Sequence, residues 1–305
     1  MTLYQDKALN KRKTWFLMTG FFVLIMLVGY AISWYFGDSI FLVIAFAFSI
    51  ISSFISYWWS DQIVLSMSNA KLIDHDNGRE IYHLVENLCI TAGLPLPKIY
   101  IIEDSAPNAF ATGRNPEHAA IALTTGLLSK LDKAELEGVI AHELSHIGNS
   151  DILISTVATV LVGTILLLAD WSSRSALFGR RDDNNDSGNN IIGLVLMLFV
   201  WLLAPLSAQL LQLAISRKRE FLADASGALL TRYPEGLARA LEKISTDPNQ
   251  LESANRATDH MYIISPLKDE VDNENNKQAS WFSKLMMTHP PVEERIKRLR
   301  DSENR

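Results

Sequence analysis

Two stretches near the start of the chain, Thr14 to Gly37 and Ser39 to Ser60, contain no charged residue. Each exceeds the ~20 apolar residues that cross ~30 Å of hydrocarbon as a helix. A third uncharged stretch, Ile152 to Ala169, lies near the lower length limit and reads as a span or a buried core helix. Ser187 to Ser216 is uncharged as well, with an apolar heart from Ile191 to Leu206. Apolar residues make up 48% of the 305 positions, and these blocks concentrate them. The first stretch does not read as a cleaved leader, because its apolar core is too long and no small-residue cleavage site precedes the second. About four transmembrane helices are the expectation.

Lys7, Lys11, Arg12 and Lys13 precede the first span, which places the N-terminus in the cytoplasm by the positive-inside rule. Two hairpins then return both soluble parts to that side. The outer loop of the second, near Ser172 to Asn190, balances Arg174, Arg180 and Arg181 against Asp182, Asp183 and Asp186. The re-entry side opens with Arg217, Lys218 and Arg219. The single cysteine, Cys89, excludes an intrachain disulfide and reads as a packed thiol between Leu88 and Ile90. A net charge of -6 with no large basic tract argues against nucleic acid as a partner. No G-x-x-x-x-G-K-S/T sequence occurs, so no nucleotide-driven step is expected.

The organisation that follows has five parts. Residues 1–13 form a cytoplasmic segment, 14–60 the first hairpin, and 61–151 a first soluble part. Residues 152–216 form the second hairpin with its polar loop at 172–190, and 217–305 a second soluble part. Ile81, Leu84, Val85 and Leu88 mark an amphipathic helix over Gly78 to Ala92, closed by Pro95 and Pro97. Lys98 to Glu103, Ala109 to Gly113 and Ala119 to Thr124 read as strands of a small sheet. Asp132 followed by Glu135 starts a helix running to about Gly148. Further helices are expected over Arg219 to Leu230, over Glu235 to Ile244 and from Pro290-Pro291 onward. The soluble fold class is helix-rich α+β.

Within the Asp132 helix stands His142-Glu143-Leu144-Ser145-His146. At 1.5 Å per residue, two histidines four positions apart share a helix face and can reach one ion. Glu143 stands beside them as a general base for a metal-activated water. A catalytic zinc needs a third protein ligand and an open position. No histidine follows at the spacing of the H-E-x-x-H-x-x-G-x-x-H pattern, so the third ligand comes from elsewhere. Glu220, in Arg219-Glu220-Phe221-Leu222-Ala223-Asp224, is the best candidate. Asp224, one turn on, could accept a hydrogen bond from a ligand imidazole. The other reading of this pair is a solvated acidic stripe.

The HELSH motif, the REFLAD segment, four spans and the ending Thr288-His289-Pro290-Pro291 resemble the membrane-bound zinc metallopeptidases. The likeness is to the HtpX-type bacterial heat-shock proteases in particular. Asn108-Ala109-Phe110-Ala111 and Ala122-Leu123-Thr124-Thr125-Gly126-Leu127-Leu128 are similar to segments that precede the catalytic helix in that family. The resemblance implies one Zn2+ per chain on His142, His146 and Glu220, with Glu143 as base and Asp224 in support. It implies a zincin-like catalytic domain facing the cytoplasm from the bacterial inner membrane. It also implies ATP-independent endoproteolysis of misfolded or damaged membrane proteins as part of protein quality control in the stress response. The lipid bilayer and unfolded or membrane-protein substrates are the expected partners, and nothing sets an oligomeric state. The alternative in the same superfamily is a CAAX-type processing metalloprotease acting on prenylated peptides. A transporter would need ionisable residues inside the spans, and Asp38, Asp61 and Asp170 sit only at their edges.

His289 either approaches the metal site, as an oxyanion or regulatory group, or is a turn residue before a helix whose first turn holds Glu293 and Glu294. Arg295 reads as a helix-surface or interhelix charge. His75, His83, His118 and His260 have no ligand-like spacing and read as surface or satisfied polar residues. Gln209 and Gln212 read as interhelical hydrogen-bond partners. Asn108 to Ala111 is either an ordinary strand or an exposed edge that binds extended peptide by backbone hydrogen bonds.

Overall fold

The computed structural model describes residues 3–178, 216–253, 257–266 and 290–303. His289, Gln209, Gln212, the apolar stretch at 191–215 and residues 179–190 of the expected outer loop lie outside them.

The uncharged stretches fold as long helices, α1 (Leu3–Phe36) and α2 (Ile40–Trp58), joined at Gly37 with φ +68°. A short helix not expected from the residue pattern, α3 (Ser60–Met67), continues from α2. Strand β1 (Lys71–Leu72) and helix α4 (Arg79–Ala92) follow. Helix α4 ends at Gly93, whose left-handed φ of 64° lets Gly93 and Leu94 N–H groups close on Ile90 and Cys89. Next come β2 (Lys98–Ile102), β3 (Ala109–Gly113) and β4 (Ala119–Thr124). Then come the short α5 (Thr125–Lys130) and α6 (Lys133–Gly148). A turn at Ser150, with φ +58°, leads straight into α7 (Asp151–Phe178). That helix runs past Ser172, where the outer loop was expected to begin. Helices α8 (Arg217–Thr231), α9 (Pro234–Thr246) and α10 (Val292–Glu303) complete the described chain.

Three helices among the described residues are long and apolar enough to cross a membrane: α1, α2 and α7. They differ in surroundings. Of the apolar window in α2 only 17% is buried, whereas 72% of that in α7 is. Helix α7 is thus membrane-length and also the internal post of the molecule, so the span and core-helix readings of this segment meet in one element. Leu153, Val157, Leu161 and Ile165 pack on Met18, Phe21, Leu24 and Ile25 of α1. From another face of the same stretch, Val160 joins the core beneath the sheet with Phe110, Ala122 and Tyr262.

The sheet is mixed, in the order β1-β2-β4-β3, with β2 parallel to β4 and the outer pairs antiparallel. The apolar stripes of α4, α6 and α9 join one face of it in a single core, with Val85, Val139, Ile140 and Leu241 from the helices and Ile99 and Ile121 from the sheet. The burial of Cys89 in this core pushes its thiol up to about 11, so it packs and stays protonated.

Candidate metal centre

Helix α6 starts from a full capping box. Asp132 accepts from the Glu135 N–H at 2.9 Å, and Glu135 accepts from the Asp132 N–H at 2.8 Å. The helix is then held between α8 and α9, so ten residues downstream of the cap its face cannot drift. His142 and Glu143 are buried there, and His146 is nearly so.

The two Nε2 atoms of His142 and His146 stand 3.2 Å apart, with the rings edge to face at 86°. Glu220, one turn into α8, places its carboxylate oxygens 3.8 Å from His142 Nε2 and 3.6 Å from His146 Nε2. Donor atoms of the three residues all lie within 4.8 Å of one another, as a metal-holding group requires. Ligand atoms on a tetrahedral zinc with bonds of ~2.1 Å would stand roughly 3.4 Å apart. The observed separations straddle that value.

What lies behind the rings supports the same fit. Asp224 Oδ1 is 3.0 Å from His142 Nδ1, and Asp151 Oδ2 is 3.2 Å from His146 Nδ1. A carboxylate at each Nδ1 favours the tautomer that carries its proton there, leaving a lone pair on each Nε2. Two lone pairs facing each other at 3.2 Å in a buried site repel unless a cation lies between them. The residues present therefore fit a divalent metal.

Without a metal, the same carboxylates favour a proton on the rings. Burial alone would push His146 down, but the hydrogen bond and charge of Asp151, with Glu220 and Glu143, raise it to about 9. Burial raises the Glu143 carboxyl above the usual range, helped by Glu220 and opposed by the histidines and Arg295. Asp224 behaves oppositely. Burial would raise it too, yet the Arg295 guanidinium and the contact with His142 hold it down at about 2.

Arg295 corrects the expectation of a surface charge. It is fully buried, and only the interhelix half of that reading matches. Its Nε and an Nη donate to both oxygens of Asp224 at 2.9 and 2.7 Å, and its other Nη donates to the Ile263 carbonyl at 2.8 Å. Asp151 was given no role in the sequence, although its place five residues after His146 was the available signal. His260 is buried rather than at the surface, with Nε2 3.3 Å from Thr159 Oγ1. It also lines the cavity that holds the candidate ligands.

Strand β3 is the sheet edge nearest this cavity, but it is buried along its length rather than exposed. Asn108 is tied down, its N–H donating to Thr124 Oγ1 and its Nδ2 to the Ile264 carbonyl. Phe110 packs on Tyr262 in the core. Thr124 N–H donates to the Asn108 carbonyl, so alternate residues from Asn108 face β4 and Ala109, Ala111 and Gly113 face outward. Ile263 N–H already takes the Ala109 carbonyl, and Gly113 N–H donates to Thr156 Oγ1. The parity turns the backbone groups of Ala111 outward, and Ala111 lines the same cavity as His142 and Glu143.

A model of peptidase family M48 matches residues 76–303, which contain every residue of this site. The chain belongs to this family. Proteins named Protease HtpX homolog are similar to it over most of their length. The one from Dictyoglomus turgidum is 44% identical, covering 98% of this chain and 94% of its own. That from Streptococcus gordonii is 42% identical over 98% and 99%, and that from Pyrococcus furiosus 47% over 85% and 86%. Among solved structures, Ste24p of S. mikatae shares the fold with a TM-score of 0.50 at 21% identity. That likeness covers 97% of this chain and 66% of the Ste24p chain. The M48 assignment makes the chain a metallopeptidase, and its membrane-length helices make it a membrane protein.

Proposed function

We propose that this M48 member is a zinc-dependent endopeptidase of the inner membrane. It cleaves misfolded or damaged membrane proteins on the cytoplasmic side without ATP. One observation carries the reading: two imidazole Nε2 atoms 3.2 Å apart, each backed by a carboxylate, with the Glu220 carboxylate within 4 Å of both.

His142, His146 and Glu220 are the ligands in this reading, and Asp224 and Asp151 orient the two rings. Zinc held there supplies Lewis acidity to the scissile carbonyl and to a water molecule. Glu143, at the wall of the same cavity, takes the proton of that water and later delivers it to the leaving amine. Its burial makes the carboxylate a stronger base than an exposed glutamate. Ala111 offers its outward N–H and C=O to the backbone of an extended peptide. Such pairing reads main chain rather than side chains, so sequence preference would be loose.

The orientation rests on charge. Lys11, Arg12 and Lys13 lie just before the apolar part of α1, and Arg217 and Lys218 open α8 beside the site. The site sits where α6 hands over to α7, within a helical turn of a membrane-length segment, so membrane-bound chains are its nearest substrates. With no nucleotide motif to drive unfolding, those chains must arrive locally unfolded.

Glu143→Gln tests the mechanism. The purified variant should retain about one zinc per chain while hydrolysis of an unfolded, casein-like substrate falls by at least ~100-fold, the scale of a lost general base. Undiminished cleavage by that variant would refute the assignment of Glu143.

A further inference from the structure

Near the start of α1, ahead of its apolar run, Asn10 is buried to 3% exposure. Its carboxamide does not serve its own helix. Nδ2 donates to Asp151 Oδ1 at 2.7 Å and lies 3.4 Å from the Asn149 carbonyl, so it grips the turn between α6 and α7. The other oxygen of Asp151 is the one that faces His146 Nδ1 at 3.2 Å. Arg219 of α8 approaches the first oxygen from another side, at 3.7 Å. A carboxylate at the first residue of a helix can rotate about its side-chain torsions. Here one oxygen is held by the amide, with the guanidinium charge nearby, which leaves the second aimed at the ring.

We propose that Asn10 is a positioning residue for the reaction. By fixing the plane of the Asp151 carboxylate it sets the orientation of His146, so the first membrane helix is part of the catalytic architecture as well as an anchor. The inference rests on reading His146 as a metal ligand. Outer partners of ligand histidines matter because they fix which nitrogen carries the proton and where the lone pair points. Asn10 acts one step further out. Its loss removes the 2.7 Å contact from Asp151 without touching the ring itself. The burial argues in the same direction, since an amide buried among helices is costly unless its hydrogens are used. The strong bond of this one is spent on Asp151.

The alternative is that Asn10 merely docks α1 on the domain. Leu17 separates the two ideas. It is buried on the same helix about two turns beyond Asn10, packed with Ile154 and Ala158 of α7. The experiment uses the full chain in detergent micelles and compares wild type with Asn10→Ala, Asn10→Leu, Leu17→Ala and Asp151→Asn. It reads Zn2+ affinity by chelator competition, the visible spectrum of the Co2+-loaded protein, and kcat and KM on an unfolded substrate.

Both Asn10 variants should bind Zn2+ about tenfold more weakly, at the lower end of what loss of an outer partner costs. Their Co2+ spectrum should shift and their kcat should fall with KM nearly unchanged. Asp151→Asn should do the same more strongly, by up to ~100-fold. Leu17→Ala should unfold at a lower temperature, with Zn2+ affinity within about twofold of wild type and an unchanged Co2+ spectrum. Wild-type affinity and spectrum in the Asn10 variants, with Asp151→Asn impaired, would overturn the role of Asn10 and leave the site intact. An equal loss in Leu17→Ala would overturn it too, as simple docking. Failure of the wild type to bind Zn2+ or Co2+ would instead remove the metal site on which the proposal rests.

Discussion

The guanidinium of Arg295 has no exposure, and its partners are Asp224, Ile263, Glu220 and His142. Arg300, on the same helix, makes a comparable set of bonds to Glu235 and Glu242, but in water. The geometry is similar and the energetics are not. An exposed pair contributes little, because water solvates the charges when they separate. Removing one partner of a buried pair leaves the other uncompensated, at a cost on the order of 3–5 kcal/mol. Arg295→Ala should therefore lower the unfolding midpoint sharply and reduce zinc retention, while Arg300→Ala stays close to wild type. Arg295→Lys should recover only part of the loss, since an ammonium cannot span both oxygens of Asp224. Equal stability of the Arg295→Ala and Arg300→Ala proteins would contradict this account. The same pair shows a limit of the sequence. The two histidines and Glu143 announce themselves by spacing within one helix. Arg295 meets Asp224 across 71 positions, and no local pattern marks it out from the other arginines of an amphipathic helix.

Helix α8 brings Glu220 and Asp224 to the histidines because it can lie almost on the backbone of α6. Gly227 marks the closest approach. A Cβ there would stand 2.9 Å from the His142 nitrogen and 3.2 Å from its Cα. Main chain cannot swing aside as a flexible side chain can, so Gly227→Ala has to move one helix by a few tenths of an ångström. The displaced element carries Glu220 and Asp224, seven and three residues away. Catalysis is more sensitive to this than folding is, since displacements near 1 Å can cost ~100-fold in rate. Gly227→Ala should therefore fold and insert, yet lose roughly tenfold or more in activity with weakened metal binding. Gly20→Ala in α1, where a Cβ meets nothing within 4 Å, should behave as wild type. A fully active Gly227→Ala protein would show that the packing here is looser than its distances imply. Most elements were readable because their signals are local. Asp132 with Glu135 marked the start of α6, the β-rich runs marked the strands, and the uncharged stretches marked α1, α2 and α7. The short α3, β1 and α5 were not: α3 is set by what it packs against and β1 by its pairing with β2, while α5 does carry a local signal in its Thr124 cap. Ser60–Met67 forms a helix because Val64 and Leu65 fill the core beneath the sheet.

At the scale of the whole molecule, the membrane part and the catalytic part share one helix. Helix α7 leaves the site at Asp151, gives Ile152 to the core with the histidine helix, and joins the core beneath the sheet through Val160. Along the same length it offers Leu153, Val157, Leu161 and Ile165 to α1. A soluble peptidase can be released from its anchor when the anchor is joined by a linker. Here the anchor is packed into the domain and, through Asn10, bonded to the residue behind a candidate ligand. Deleting residues 1–58 would bare the apolar stripe of α7 and take away a partner of Asp151. Each buried leucine-sized side chain on that stripe loses about 1.5–3 kcal/mol when it returns to water. Four such residues, about 6–12 kcal/mol together, are comparable to the 5–15 kcal/mol that holds a typical domain together. The truncated chain should therefore aggregate without detergent. When solubilised it should retain less zinc than the intact protein, as measured by size-exclusion chromatography with metal analysis. A monodisperse, zinc-loaded, active fragment obtained without detergent would show that α7 holds its place unaided. The union of anchor and site as argued from Phe21, Asp151 and Val157 would then have to be given up.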